Sequence, residues 1–167
     1  MLPPDDSTRA TLRHLLATLA YRSAKVLRDV PADFPQATFG DATRTPVGIL
    51  GHMGDLLDWS ISFTRGQGAW VPGASADWDV EVERWTTRLA TLDTQLQQPL
   101  ADGAAERLIQ GPLADALTHV GQLAMLRGMY GAPIRPESYA RAAIAAGQVG
   151  LEQPPPGREF DGDASAR

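Results

Sequence analysis

Cysteine is missing altogether, which removes thiolate nucleophiles, thiolate metal sites and disulfide switches from the chemistry open to this chain. Histidine occurs three times, and Lys25 is the only lysine. Any metal ligands must come from a few imidazoles and from carboxylates, and any thiol chemistry needs a thiol from outside. No apolar run approaches the ~18 residues that a membrane span requires. The first residues, Met1-Leu2-Pro3-Pro4-Asp5-Asp6, are acidic where a secretion leader would be basic. The expected location is therefore the cytoplasm, with no membrane partner. A net charge of −5 and scattered arginines argue against nucleic acid as a partner, because phosphate affinity comes from clustered cations that release counterions.

Apolar residues at helical spacing dominate what is present. The chain has 167 residues, one domain's worth, enough to bury roughly 68 to 70% of its unfolded surface. Asp6 or Ser7 can cap a first helix reaching about Val30, with Leu12, Leu15, Leu16, Leu19, Val26 and Leu27 as its stripe. Pro31 and Pro35 end it. Thr45-Pro46 supplies a cap and a first-turn proline for a second helix to Thr64, closed by Gly66-Gln67-Gly68. A third helix is expected from Ser75–Asp77 to about Gln98, carrying Trp78, Val82, Trp85, Leu89, Leu92 and Leu96. After a short segment at 106–110, Pro112 opens a fourth helix and Gly131 closes it. Pro136 can start a shorter fifth helix through Tyr139 and Ala143 to Gly147.

No alternating strand pattern interrupts this order. The expected fold is all-α, an up-down-up-down or up-down-down-up four-helix bundle over residues 1–152 with a short extra C-terminal helix. Residues 153–167, rich in Pro, Gly and Asp, read as a mobile tail. The dozen-residue loops after the first two helices are long enough to roof a site.

Polar residues break the apolar face of the fourth helix. Asp115, His119 and Gln122 are spaced four and three apart and share one face, which should point inward. On the second helix, His52 lies at helical spacing from Ile49, Leu56 and Phe63. Taken singly, each of these residues reads as a hydrogen-bonded core group. Together, His52, Asp115 and His119 make a ligand set for a divalent metal as good a reading as a polar network. Gln122 reads as a hydrogen bonder to a ligand. His14, Asp55 and Asp58 read as solvated, while Trp59, Trp78 and Trp85 read as core. Arg127 lies beside the ligand face, placed either to orient a substrate or to meet solvent.

Other site types are excluded by pattern. No Glu-x-x-His occurs, so a ferritin-like di-iron site is out, and no His-Glu-x-x-His, Gly-x-Ser-x-Gly or phosphate-loop motif occurs either. A single centre with two imidazoles and one carboxylate leaves positions open for water or substrate.

Three stretches resemble the DinB/YfiT-like superfamily of metal-dependent four-helix bundles. They are Thr45-Pro46-Val47-Gly48-Ile49-Leu50-Gly51-His52-Met53, Asp115-Ala116-Leu117-Thr118-His119-Val120-Gly121-Gln122-Leu123 and Glu137-Ser138-Tyr139-Ala140-Arg141-Ala142-Ala143-Ile144. The likeness covers about residues 7–150. Where the family generally carries its middle histidine, this chain has Asp115, a harder ligand that lowers the charge of the site. The resemblance implies one divalent ion (zinc, nickel, iron or manganese) and a small-molecule substrate, and also a homodimer, for which the apolar rows of the first and third helices and the tryptophans of the third offer surface beyond one bundle face. It also implies a metal-activated low-molecular-weight thiol or water, because members include thiol-dependent S-transferases and a maleylpyruvate isomerase. Alternatives are a stress-associated metal-binding dimer without activity, or a bundle whose polar trio is structural.

Overall fold

Helix α1 (Asp6–Leu27) buries Leu12, Leu16, Leu19, Val26 and Leu27, the stripe expected from its spacing. The protein, described here from a computed structural model covering residues 6–160, is all-helical. α2 spans Pro46–Thr64 and α3 spans Trp78–Gln95. A one-turn helix α4 (Ala104–Leu108) leads through a wide π-type turn at Ile109–Leu113 into α5 (Ala114–Tyr130). No described helix is long and apolar enough to cross a membrane.

The helix starts follow local chemistry. Thr45 Oγ1 accepts from Gly48 N at 3.3 Å with Pro46 in the first turn, and Asp77 Oδ1 accepts from Asp79 N and Val80 N at 2.9 and 3.1 Å. Such caps satisfy amides that have no partner within the helix. At Gly111 and Pro112 the helical ladder fails, since proline supplies no amide hydrogen and Gly111 takes φ −105°, ψ −105°. The helix expected to open at Pro112 therefore opens at Ala114, and Asp115 falls in its first turn.

α2 packs along α3 and against α5, while α1 packs on α5 and α3. Between them lie Leu16, Leu50, Met53, Leu89, Leu92 and Leu123, all essentially inaccessible. Each such side chain contributes about 1.5–3 kcal/mol of burial. Trp85 is enclosed as well, with its Nε1 donating to Ser23 Oγ at 2.9 Å. Trp78 is half-buried and meets Phe34 edge-on at 6.1 Å. The tryptophans of α3 thus serve this chain's own core.

Further sequence expectations are corrected. α1 stops at Leu27, short of Val30, because Asp29 adopts a left-handed φ of 52°. Arg127, expected beside the ligand face, is instead buried at that helix end. It donates to the carbonyls of Val26, Arg28 and Asp29 at 3.1, 2.7 and 3.2 Å and to that of Ala132 at 2.9 Å. A guanidinium with fixed donors suits a cluster of unpaired helix-terminal carbonyls.

The fifth helix is reduced to one 3-10 turn, Tyr139–Arg141. Its first residues are pulled into other contacts. Glu137 accepts from Tyr21 Oη and Lys25 Nζ at 2.7 and 2.9 Å, and its backbone forms an antiparallel bridge with Glu159. Tertiary pairing outweighs helix propensity here. The same bridge holds Glu159, in the segment read as a mobile tail, against residues 136–138. The rest of that tail, 161–167, lies outside the described residues.

Candidate metal centre

His52 sits in the N-terminal half of α2, and Asp115 and His119 sit one turn apart on α5. The packing of α2 on α5 brings the three together, with one ligand atom from each lying within 4.8 Å of the others. His52 Nε2 lies 3.6 Å from Asp115 Oδ2, and His119 Nε2 lies 3.4 Å from Asp115 Oδ1. These separations distinguish two chemistries. A charge-assisted N–H···O bond closes to about 2.7–2.9 Å. Ligand atoms about 2.0–2.2 Å from a common ion stand roughly 3.3–3.6 Å apart at tetrahedral angles. Both carboxylate contacts are longer than a charge-assisted hydrogen bond, and they are made through different oxygens, Oδ2 to His52 and Oδ1 to His119, so the group has the ligand types and the room to hold a metal ion.

The protonation pattern fits as well. His119 Nδ1 lies 2.7 Å from Gln122 Oε1, an oxygen that can only accept. The ring hydrogen is thereby placed on Nδ1, and Nε2 turns a lone pair towards Asp115. Such a contact fixes ring orientation in metal sites. Burial holds the His52 pKa below its ordinary 6.5, the positive charge of Arg44 acts in the same sense, and the Asp115 carboxylate opposes them. At neutral pH, His52 is a neutral donor.

The site differs in depth from the inward position expected. The histidine side chains are 20% and 13% exposed, but that of Asp115 is 46% exposed. The centre therefore lies at the rim of the helical core. Leu126 is buried, whereas Met125 and Met129 face solvent, so α5 turns from core to surface along this row.

Aromatic rings close one side. The rings of His52 and His119 meet edge-on at 4.8 Å, and Trp70, from the loop between α2 and α3, lies 5.7 Å from His52 and 5.6 Å from Trp59. Trp59 is half-buried and its Nε1 donates to Gly68 O at 3.1 Å, which ties the start of that loop to α2. A cavity of about 400 Å³ is lined by Ala42, Thr43, Arg44, Ile49, Met125 and Leu126 together with both histidines and Gln122.

Sequence reasoning missed what holds the roof. Asp55, expected to be solvated, is 6% exposed, and its Oδ1 accepts from Gly73 N at 2.9 Å and Arg84 Nη2 at 2.5 Å. Asp58, also expected to be solvated, pairs with Arg84 at 2.7 Å. Glu81, fully buried, accepts from Ser75 N and, at 3.2 Å, from Arg84 Nη1. Burial alone would lower the Arg84 pKa, yet Asp55, Asp58 and Glu81 hold it above its ordinary value.

Two glycines flanking His52 make room for this. A Cβ on Gly51 would come within 2.7 Å of Ala74 Cβ, and one on Gly54 within 2.9 Å of Arg84 Nη1. The pair Gly51 and Gly54, with Asp55 beside it, was the available signal that another segment lies against this helix. His14 is exposed, as expected.

Set against known protein families, curated proteins and solved structures, the chain matches none.

Proposed function

We propose that this chain is a four-helix-bundle metalloenzyme of the DinB/YfiT-like kind, with His52, Asp115 and His119 holding one divalent ion (zinc, nickel, iron or manganese). The observation that carries the reading is the placement of the carboxylate 3.6 and 3.4 Å from the two Nε2 atoms. Those contacts are too long for strong hydrogen bonds and leave room for an ion among the three side chains. Three protein ligands also leave room for a further one, as catalytic sites do.

The reaction proposed is S-transfer from a small external thiol, or hydrolysis. When bound, a divalent ion supplies acidity, bringing the pKa of a thiol or water down towards neutrality. The chain's own residues do the rest. Gln122 keeps the His119 proton on Nδ1. Trp70 shields the His52 ring from one side. The exposed flank of Asp115 leaves a way in.

A homodimer belongs to the same proposal. Its support is the part of the outer row of α5 outside the cavity lining, where Thr118, Gly121, Gly128 and Met129 are exposed without one charged side chain among them. Light scattering reads this directly: a concentration-independent mass of 17.9 kDa would remove the dimer.

The test of function starts with elemental analysis of protein purified without an affinity tag. About one ion per chain is expected, falling sharply in His52→Ala and in His119→Ala. Thiol-dependent conjugation of an electrophile should then require the ion. Stoichiometric metal without turnover would leave a metal-binding protein, and no metal in any preparation would leave a structural polar trio.

A further inference from the structure

We infer that the cavity beside the metal ligands takes a small organic carboxylate, whose charge is held by Arg44 and whose apolar body lies on Ile49, Met125 and Leu126. This deepens the reading above and names the substrate class of the same site.

The cavity holds about 400 Å³, in the range of small-molecule sites. Its walls are mainly apolar apart from the imidazoles, Thr43, Gln122 and Arg44. Arg44 is exposed and, among the described residues, makes no hydrogen bond or ion pair with an acidic residue. The better-buried arginines are all engaged: Arg13 with Asp93, Arg84 with Asp55, Asp58 and Glu81, and Arg127 with backbone carbonyls. Among the described residues no carboxylate meets this guanidinium beside the cavity, which leaves its donors open to the carboxylate of a ligand.

Its position is set by the fold. Arg44 immediately precedes Thr45, the α2 cap, and the turn before it is closed by Thr43 N on Gly40 O at 3.1 Å. The side chain is therefore presented from a braced segment. One guanidinium matches one planar carboxylate, with two parallel N–H···O bonds. Ile49 and Leu126 are buried and give a fixed wall, while exposed Met125 gives one that adapts to shape. The amide nitrogen of Gln122 is left to donate, since its oxygen is engaged by His119.

The experiment is isothermal titration calorimetry of hexanoate, benzoate and phenylacetate, each beside its neutral amide, with phenylphosphonate as a phosphate-like probe. Wild type and Arg44→Gln are titrated in zinc-loaded and metal-free form. Because Arg44 is exposed, the variant should melt with the wild type. At least one acid should bind in preference to its amide, and Arg44→Gln should weaken it about tenfold or more while leaving the amide unchanged.

Equal binding of acid and amide, no effect of Arg44→Gln, tighter binding of the phosphonate, or no binding by any acid would each overturn the inference. The metal reading is scored separately, by zinc uptake. Arg44-dependent binding in protein that takes up no zinc would keep the carboxylate site and discard the metal, and zinc uptake without Arg44 dependence would do the reverse.

Discussion

The Gln122 amide oxygen lies 2.7 Å from His119 Nδ1, and this contact decides which ring nitrogen is free to bind. Removing it releases the ring to rotate and to move its hydrogen onto Nε2. Gln122→Ala should therefore weaken metal affinity about 10- to 100-fold, the usual effect of losing a partner behind a ligand. Competition against a chromophoric chelator measures it. Unchanged affinity would show that the ring is held by packing alone.

Metal binding should be visible as stability. An ion that binds only the folded chain adds about 2.7 kcal/mol at a hundredfold excess over its Kd. Zinc should raise Tm in wild type and in His14→Ala, whose histidine faces solvent, but not in His52→Ala. The sign with pH follows from the neutral imidazole that binding needs. With the His52 pKa lowered by burial, the zinc-dependent shift should be full at neutral pH and fade as pH drops and the ligand imidazoles protonate. Scanning fluorimetry across that window checks it, and equal shifts in the two alanine variants would remove His52 from the ligand set.

Arg84 joins α2, α3 and the loop bearing Trp70 through Asp55, Asp58 and Glu81. Taking away a buried cation leaves Asp55 and Glu81 without a counter-charge, while Asp58 keeps Arg88, and Glu81 has no access to water. Arg84→Ala should cost about 3–5 kcal/mol in urea unfolding. Gly54→Ala should also destabilise, because its new methyl group would meet Arg84 Nη1. If Arg84→Ala unfolds at the wild-type midpoint, the network is not what seats the loop.

Much of the helical order was legible because its signals are local. Thr45-Pro46 and Asp77 mark helix starts through hydrogen bonds made within three residues, and these were found where expected. The trio was legible for a similar reason: the four-residue step from Asp115 to His119 fixes a shared face, and His52 is the one other histidine on an apolar stripe. The Arg84 network was not legible, since Asp55 and Asp58 lie 29 and 26 residues from Arg84 and nothing in their local pattern distinguishes an ion pair from solvent. Trp70 was similarly hidden, because loop residues carry no periodicity. The segment from Pro136 misled in the opposite direction, with its helix-forming composition overruled by Glu137 and its bridge to Glu159.

That same cluster makes the last expectation one of alkaline instability. Tyr21 is buried with its hydroxyl 2.7 Å from Glu137, and burial, with the carboxylate adding to it, raises its pKa well above the ordinary value of 10. Burial would lower the Lys25 pKa, but the carboxylates of Glu159 and Glu137 outweigh it and leave it raised. Both groups keep their protons in the folded chain at a pH where the unfolded chain has begun to lose them. Stability should then be complete below about pH 10 and fall as pH rises beyond it, since the folded state binds more protons. Tyr21→Phe removes one of the two groups, so it should flatten that fall while lowering stability at neutral pH through the lost hydrogen bond. Urea midpoints between pH 8 and 11 measure the slope, and identical slopes for wild type and Tyr21→Phe would show that Tyr21 ionises as freely folded as unfolded.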